Sequence, residues 1–572
     1  MKFIIQRIRS HMWLFTAGIP FLTVEAAADL MQPTLMAKIV DDGVKQQNTE
    51  AVLHVGLMML FVAFIGAVGA VMRNFFASRT SQLIGKELRS DLYRKVQTLS
   101  FENIDRLQPA SLITRITNDV TQIQNFINGC MRILVKAPMT CIGTIILIVW
   151  QTPALTPLLA LILVISGILI VGNMKMGHPK FKRLQTTLDK LNDVSREFLS
   201  SIRVVKAFNG EEQEQNKFDG AVDDLAGAGV AASRVMAVFG PLINLVVNLG
   251  IVLVIYLSGY QGTIPIGKVM ASVNYMTQVL FALGMVSNIM NMAVRATASS
   301  ERVEEVLLEE PAQKGAENPV KKELHGNITF DKVSFTYAGA GRPSLTDISL
   351  NIRAGEVIGI IGATGSGKST LVNLVPRFYD VSEGVLSIDG TDITMWDEHS
   401  LRQAIAVVPQ KALLFSGTIG YNLRWGKEGA DDEEVARAVR IACADEFIEK
   451  QEKGMDTILG QGGVNLSGGQ KQRLSLARAL LRQPKILILD DCTSALDAYT
   501  EAKVLQGLRT ELSDVTVLLI SQRISTVRKA DRIICMENGR VAGNGSHEEL
   551  MESCRLYQEI YASQIGGDQS GM

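Results

Sequence analysis

With 572 residues, the chain exceeds the ~250–300 residues that a single hydrophobic core serves, so two or more domains are expected. Its 57 Lys and Arg against 58 Asp and Glu leave a formal net charge of −1, which argues against a nucleic-acid binder acting through an overall basic field. A hydrophobic share of 47% with a mean hydropathy of +0.18 points to a very apolar part joined to an ordinary one. The six cysteines form no CxxC pair and no Cys/His cluster, which fits neither a disulfide framework nor a zinc site. Cys130 and Cys141 share a helix face, but a rise of ~1.5 Å per residue keeps them too far apart to bond, and all six read as free thiols.

In chain order, six apolar runs are long enough to cross a bilayer as helices: residues 13–38, 52–76, 132–151, 154–173, 235–258 and 265–292. The first follows Lys2, Arg7 and Arg9 and lacks a small-residue cleavage site, so it reads as a retained span. The long loops after the second and fourth spans carry Arg79, Lys86, Arg89, Lys182, Arg183 and Arg203 among many cations, whereas the outer turns hold one Lys between them. By the positive-inside rule, both ends and both long loops are therefore cytoplasmic. The spacing of Ile84, Leu88, Leu92, Val96 and Leu99 predicts that the spans continue as helices beyond the membrane, with elbows near 101–107 and 207–216. Two polar stripes lie within the spans. Glu25, Asp29 and Gln32 read either as a substrate, ion or gating site or as a packing stripe with polar neighbours. Asn274, Gln278, Phe281, Met285, Asn288 and Met292 suit a wall for varied apolar ligands or ordinary helix packing.

Hydrophobicity falls after Arg295, and a charged stretch through Glu309, Glu310 and Pro311 reads as a helix end and linker. Short β-rich runs at 328–335, 357–361, 405–408, 486–489 and 515–520 alternate with helical stretches, as in an α/β domain. The strand 357–361 runs straight into Gly362-Ala363-Thr364-Gly365-Ser366-Gly367-Lys368-Ser369, with Thr370 next, which satisfies GxxxxGK[ST] ahead of a predicted helix. Glycines let backbone N–H groups close around phosphates, Lys368 reaches the terminal phosphates, and the Ser369 hydroxyl suits magnesium. The strand ending in Asp490 supplies the acidic residue expected to hold magnesium through water.

Leu466-Ser467-Gly468-Gly469-Gln470, standing between the phosphate loop and the acidic strand, resembles the signature of the ATP-binding cassette (ABC) transporters. With six spans ahead of it, the resemblance covers nearly the whole chain and points to an exporter half-transporter. It implies a multidomain fold: a six-helix all-α transmembrane domain with long cytoplasmic extensions (1–305), a linker (306–324) and an α/β P-loop nucleotide-binding domain (325–572). It further implies ATP and Mg2+, with Tyr337 stacking on adenine, Gln410 sensing the γ-phosphate and magnesium, Ser494 to Asp497 as the D-loop, and the elbows as coupling helices.

Two positions depart from the family's pattern. Asp491 stands where Glu usually polarises the attacking water, and Gln522 replaces the switch histidine. The shorter carboxylate draws back by about a bond length, an error that can cost ~100-fold. Glutamine, for its part, cannot carry an imidazole's charge. The resemblance then becomes one to the degenerate-site subunit of heterodimeric bacterial multidrug-type exporters. It implies weak hydrolysis at this chain's own site, a second half-transporter as partner, a lipid bilayer in the cytoplasmic membrane and a small amphipathic cargo. The competing expectations are a homodimeric exporter with Asp491 as a slow base and an ATP-gated channel or sensor.

Overall fold

The computed structural model describes residues 2–261 and 264–565, and the chain divides into two compact units. The first joins Met1–Lys95 to Ala110–Leu308; the second joins Val96–Pro109 to Glu309–Met572. Eleven helices run through residues 2–308: α1 (Lys2–Ser10), α2 (Met12–Lys38), α3 (Thr49–Thr98), α4 (Phe101–Leu107), α5 (Pro109–Thr114), α6 (Val120–Gly129), α7 (Lys136–Gln151), α8 (Thr156–Ser200), α9 (Ile202–Ala207), α10 (Glu211–Gln261) and α11 (Ile266–Leu308).

Among the described residues, five helical stretches are long and apolar enough to cross a membrane: Met12–Val44, Thr49–Thr98, Pro109–Gln151, Pro153–Ser200 and Glu211–Tyr260. These contain the first five expected spans. The sixth, 265–292, falls in α11; the side chain of Asn288 and part of the outer turn before α11 lie outside the described residues. Along α3 the solvent changes partway. Leu60, Phe61, Phe64 and Val71 face outward, whereas Ala77, Ile84, Leu88 and Leu92 are fully buried. Outward apolar residues suit lipid, and an inward stripe suits a helix that has left it. Close approach of α3 to α2 requires Gly69, where a Cβ would stand 2.9 Å from the Phe21 carbonyl oxygen. The stretch between α5 and α7 contains π-helical segments at Arg115–Asp119 and Cys130–Leu134, so Cys130 and Cys141 do not share one regular α-helix; all six cysteines are free. The second elbow breaks after α9, leaving Phe208 81% exposed.

The polar stripe of α2 is paired. Glu25 accepts from Arg73 Nε at 2.5 Å and from Lys136 Nζ at 2.6 Å, and Lys136 also reaches Asp29 at 2.8 Å. Glu25 and Arg73 are buried. Burying charge is tolerated when the charges are paired and hydrogen-bonded, so these contacts favour packing over an open ligand site for this stripe.

The second unit holds β1 (Ile328–Phe335), β2 (Leu345–Ile352), β3 (Val357–Gly362), α12 (Lys368–Leu374), β4 (Glu383–Ile388), β5 (Thr391–Asp392), α13 (Glu398–Ala404), β6 (Ile405–Val408), β7 (Gly417–Thr418), α14 (Ile419–Arg424), α15 (Asp432–Ile441), α16 (Asp445–Glu449), β8 (Ile458–Leu459) and α17 (Gly468–Leu481). It continues through β9 (Ile486–Asp490), α18 (Ala498–Glu511), β10 (Thr516–Ile520), α19 (Ile524–Val527), β11 (Arg532–Glu537), β12 (Arg540–Gly545), α20 (His547–Ser553) and α21 (Arg555–Ile565). The main sheet has the order β12-β11-β3-β10-β9-β6, parallel except for β12, and an antiparallel sheet runs β2-β1-β4-β5. The continuous apolar runs of β3, β9 and β10 follow from burial on both faces.

The elbow helix α4 belongs to this unit. Ser100 caps it, and buried Asn103 donates to the Glu310 carbonyl at 3.0 Å while accepting from Ala312 N at 2.9 Å.

Candidate nucleotide site

In an open parallel sheet, ligands sit where the carboxyl ends of neighbouring strands meet. Here β3 ends in the glycine-rich loop, β10 in Ser521 and Gln522, and β9 in Asp490 and Asp491, side by side in the sheet, with Gln410 just beyond β6. A cavity of about 730 Å3 lies there, lined by Thr364, Gly365, Gly367, Lys368, Ser369, Thr370, Gln410, Asp490, Asp491 and Gln522. These ten of the expected residues, drawn from four separate stretches of the chain, thus converge on one space.

The loop's shape is set by its glycines. Gly367 has φ +99°, and a Cβ there would stand 2.8 Å from Leu345 Cδ2 and 2.9 Å from the Ser344 carbonyl oxygen. Lys368 Nζ donates to the carbonyls of Gly362 and Ala363 at 2.9 and 2.7 Å. Burial pushes this ammonium below its ordinary range, and the Asp491 and Asp490 carboxylates oppose that. An incoming phosphate would supply the opposite charge that the carbonyls only partly provide. Ser366 is buried and its hydroxyl has no partner, an orphan acceptor or donor inside a phosphate-shaped loop.

Ser369 Oγ donates to Asp490 Oδ1 at 2.9 Å, so a hydroxyl and a carboxylate meet at the mouth of the loop. That is a hard-oxygen pair of the kind magnesium takes together with phosphate oxygens and water. Among the described residues there is no cluster of three or more His, Cys, Asp or Glu that could hold a metal ion. Asp490 and Asp491 are both raised above the ordinary carboxylate range, chiefly by burial. Asp491 sits at φ +46°, a left-handed conformation that Asp tolerates, and accepts from Gln410 Nε2 at 3.2 Å.

Tyr337 stands beside the loop rather than lining the cavity, its hydroxyl 3.2 Å from Thr370 Oγ1. Ser467, Gly468, Gly469 and Gln470 do not line it either. They open α17 with a reciprocal cap: Ser467 Oγ accepts from Gln470 N at 3.3 Å, and Gln470 Oε1 accepts from Ser467 N at 2.8 Å.

Several supports were not among the expected site residues. Gln472 Nε2 donates to the Gln410 carbonyl at 2.6 Å, linking α17 to the cavity. Arg523 reaches the Ser494 carbonyl at 3.3 Å and buried Glu501 at 3.2 Å. Gln564, in α21, donates to the Gln522 carbonyl at 2.7 Å and accepts from Ile524 N at 2.9 Å, holding the segment around Gln522 from both sides. Gln472, two residues after Gln470, and Arg523, directly after Gln522, had positions that could have drawn attention, whereas Gln564 had none.

The family described as ABC transporter transmembrane region matches residues 15–283, and that described as ABC transporter matches residues 345–494. The chain is 38% identical over 97% of its length to an uncharacterized ABC transporter ATP-binding protein, YfiB, of Bacillus subtilis, covering 97% of that protein. The chain belongs to the ABC transporters. It is also 33% identical to a multidrug efflux ATP-binding/permease protein, Rv0194, of Mycobacterium tuberculosis, over 93% of this chain but 44% of that one. A bacterial Atm1-family ABC exporter solved with ATP bound superposes with a TM-score of 0.78, at 26% identity over 97% of this chain and 98% of that one. The chain is thus an ABC exporter half-transporter: a multi-pass membrane protein whose helical domain precedes an ATP-binding domain, with an ATPase coupled to export. ABC exporters of this kind act as dimers in a lipid bilayer, moving a substrate across it.

Proposed function

We propose that this chain is the subunit carrying the degenerate ATP site of a heterodimeric exporter for small amphipathic molecules, drug-, lipid- or peptide-like. The observation that carries the reading is the pair Asp491 and Gln522 on the wall of the phosphate-loop cavity. Asp491 occupies the position for orienting an attacking water with a side chain one methylene shorter than Glu, and the Gln410 amide holds it at 3.2 Å. Gln522 offers hydrogen bonds and no titratable charge. In this reading the residues from Gly362 to Thr370 bind phosphates, Tyr337 stacks on adenine, and Ser369, Gln410 and Asp490 hold Mg2+. The ion, when bound, neutralises charge on the phosphates. Ser467 to Gln470 lie outside this chain's cavity, which supports their completing a site on the partner, where the partner's own base would act.

The membrane domain is assigned to 1–305, the linker to 306–324 and the nucleotide domain to 325–572. The cations concentrated in the two long loops support a cytoplasmic nucleotide domain and cytoplasmic termini in the cell membrane. A varied cargo is supported by Phe281 and Met285, exposed on α11, and by the multidrug description of one relative.

Native mass spectrometry of the complex extracted from its own membrane tests the reading. A second, different polypeptide in a one-to-one ratio is expected; two copies of this chain alone would overturn the heterodimer and leave Asp491 as the working base.

A further inference from the structure

The rings of the second unit form a continuous path from the elbow helix α4 to the phosphate loop. Phe101, the first residue of α4, packs on Phe378 with centroids 4.7 Å apart and on Tyr379 at 6.2 Å. The Tyr379 hydroxyl donates to Asp105 Oδ2, also on α4, at 2.7 Å. On its other side the Tyr379 ring meets Tyr337 edge-on, 5.2 Å between centroids and 84° between planes, and both rings touch Phe335. Tyr337 in turn reaches Thr370, immediately after Ser369 of the loop.

Edge-to-face packing fixes the orientation of both rings, because the positive edge of one must point into the negative face of the other. Tyr379 is therefore held by a charge-assisted hydrogen bond at one end and a ring contact at the other. Burial first, and the Asp105 carboxylate second, push its hydroxyl well above the ordinary tyrosine range, so it remains a donor at every physiological pH. Asp105 lies on the elbow and is not among the residues that line the nucleotide cavity.

We infer that Tyr379 is a positioning residue joining Asp105 of the elbow to Tyr337, so that occupancy by the adenine base, as distinct from the triphosphate, is energetically coupled to the elbow. The inference rests on the reading of Tyr337 as the ring that stacks on adenine. Binding a base against Tyr337 requires one ring orientation, and Tyr379 with Asp105 sets that orientation in advance. By reciprocity, a ligand that stabilises this arrangement at the cavity stabilises it at the elbow to the same extent. The loop itself offers Lys368 and its N–H groups to the phosphates, and the rings meet it through the single Tyr337–Thr370 hydrogen bond.

The test is equilibrium binding to the full-length transporter, assembled with any partner and reconstituted in lipid nanodiscs, using ATP and the base-free probe inorganic tripolyphosphate. Asp105→Asn and Tyr379→Phe are each expected to weaken ATP binding about threefold or more while leaving tripolyphosphate within about twofold. The double variant is expected to be no weaker than the weaker single one, as two ends of one contact require. Retained tripolyphosphate binding also shows that the variants fold. Tyr337→Ala separates the two readings. If it weakens ATP selectively while Asp105→Asn and Tyr379→Phe leave ATP unchanged, the coupling is overturned and the adenine assignment stands. If Tyr337→Ala leaves the ratio of the two affinities unchanged, the adenine assignment falls and takes the inference with it. A parallel loss of both ligands in the Asp105 and Tyr379 variants would mark general damage to the loop and also overturn it.

Discussion

Gln410 and Asp491 hold each other on the wall of the nucleotide cavity, amide to carboxylate at 3.2 Å, directly beyond the end of β9. In the proposed reading, Asp491 is one methylene short of the Glu that would orient a water, and its carboxylate is also partly occupied by the amide. Lengthening it is the direct probe. With the partner's site disabled, Asp491→Glu combined with Gln522→His is expected to raise the rate of ATP hydrolysis by up to ~100-fold, and Asp491→Glu alone by less. Steady-state phosphate release measures it. An unchanged rate in the double variant would mean that neither substitution limits this site.

The same pair gives a pH dependence. Burial raises Asp491 above the ordinary carboxylate range. A carboxyl raised in the folded state binds its proton more tightly there than when unfolded. Its contribution to stability is therefore complete below about pH 4 and declines as pH rises through the raised value. Asp491→Asn removes that decline while retaining an acceptor for Gln410. In the nucleotide-free transporter it is expected to raise the melting temperature by about 2–4 °C at pH 7.5 and by less at pH 5. Equal gains at both pH values would show that the charge is not the cause.

How much of this was legible in the sequence follows from distance along the chain. The phosphate loop is eight consecutive residues after a buried strand, so its motif and its geometry are one local fact, and the strands at 328–335 and 405–408 coincide with β1 and β6. The elbow at 101–107 also coincides with α4, because charge clusters and a Pro that interrupt an apolar stripe are local signals. Tyr379 and Asp105, by contrast, are 274 residues apart, and nothing in either neighbourhood marks the other. The π-helical segments before α7 escaped notice for a different reason: an extra residue in a turn is decided by packing against other helices rather than by the local residue types.

Gln564 illustrates the same limit and can be tested. Its amide satisfies the Gln522 carbonyl and the Ile524 N–H at once, fixing the segment that presents Gln522 to the cavity. The side chain is itself exposed, so Gln564→Ala removes two hydrogen bonds without opening a core cavity. Each such bond contributes about 0.5–1.5 kcal/mol, enough to free the segment without unfolding the domain. ATP affinity in Gln564→Ala is expected to fall severalfold with a melting temperature within about 2 °C of the parent. Isothermal titration with ATP would report it, and an unchanged affinity would reduce Gln564 to a surface residue.

The ion cluster of the membrane domain separates packing from ligand binding. Glu25 accepts from both Arg73 and Lys136, whereas Lys136 also has Asp29 and Arg73 has no second carboxylate among its contacts. Removing Glu25 therefore strands Arg73, which is only 7% exposed, more severely than it strands Lys136. Breaking a buried pair from one side costs about 3–5 kcal/mol, whereas replacing both partners by apolar side chains of similar volume is often neutral. Glu25→Ala is accordingly expected to lower the melting temperature sharply in nanodiscs, and Glu25→Leu with Arg73→Met to recover most of the loss. If the cluster serves packing, the recovered double variant transports with an unchanged KM. A double variant that is stable yet no longer transports would place these charges on the path of the substrate or of the gate.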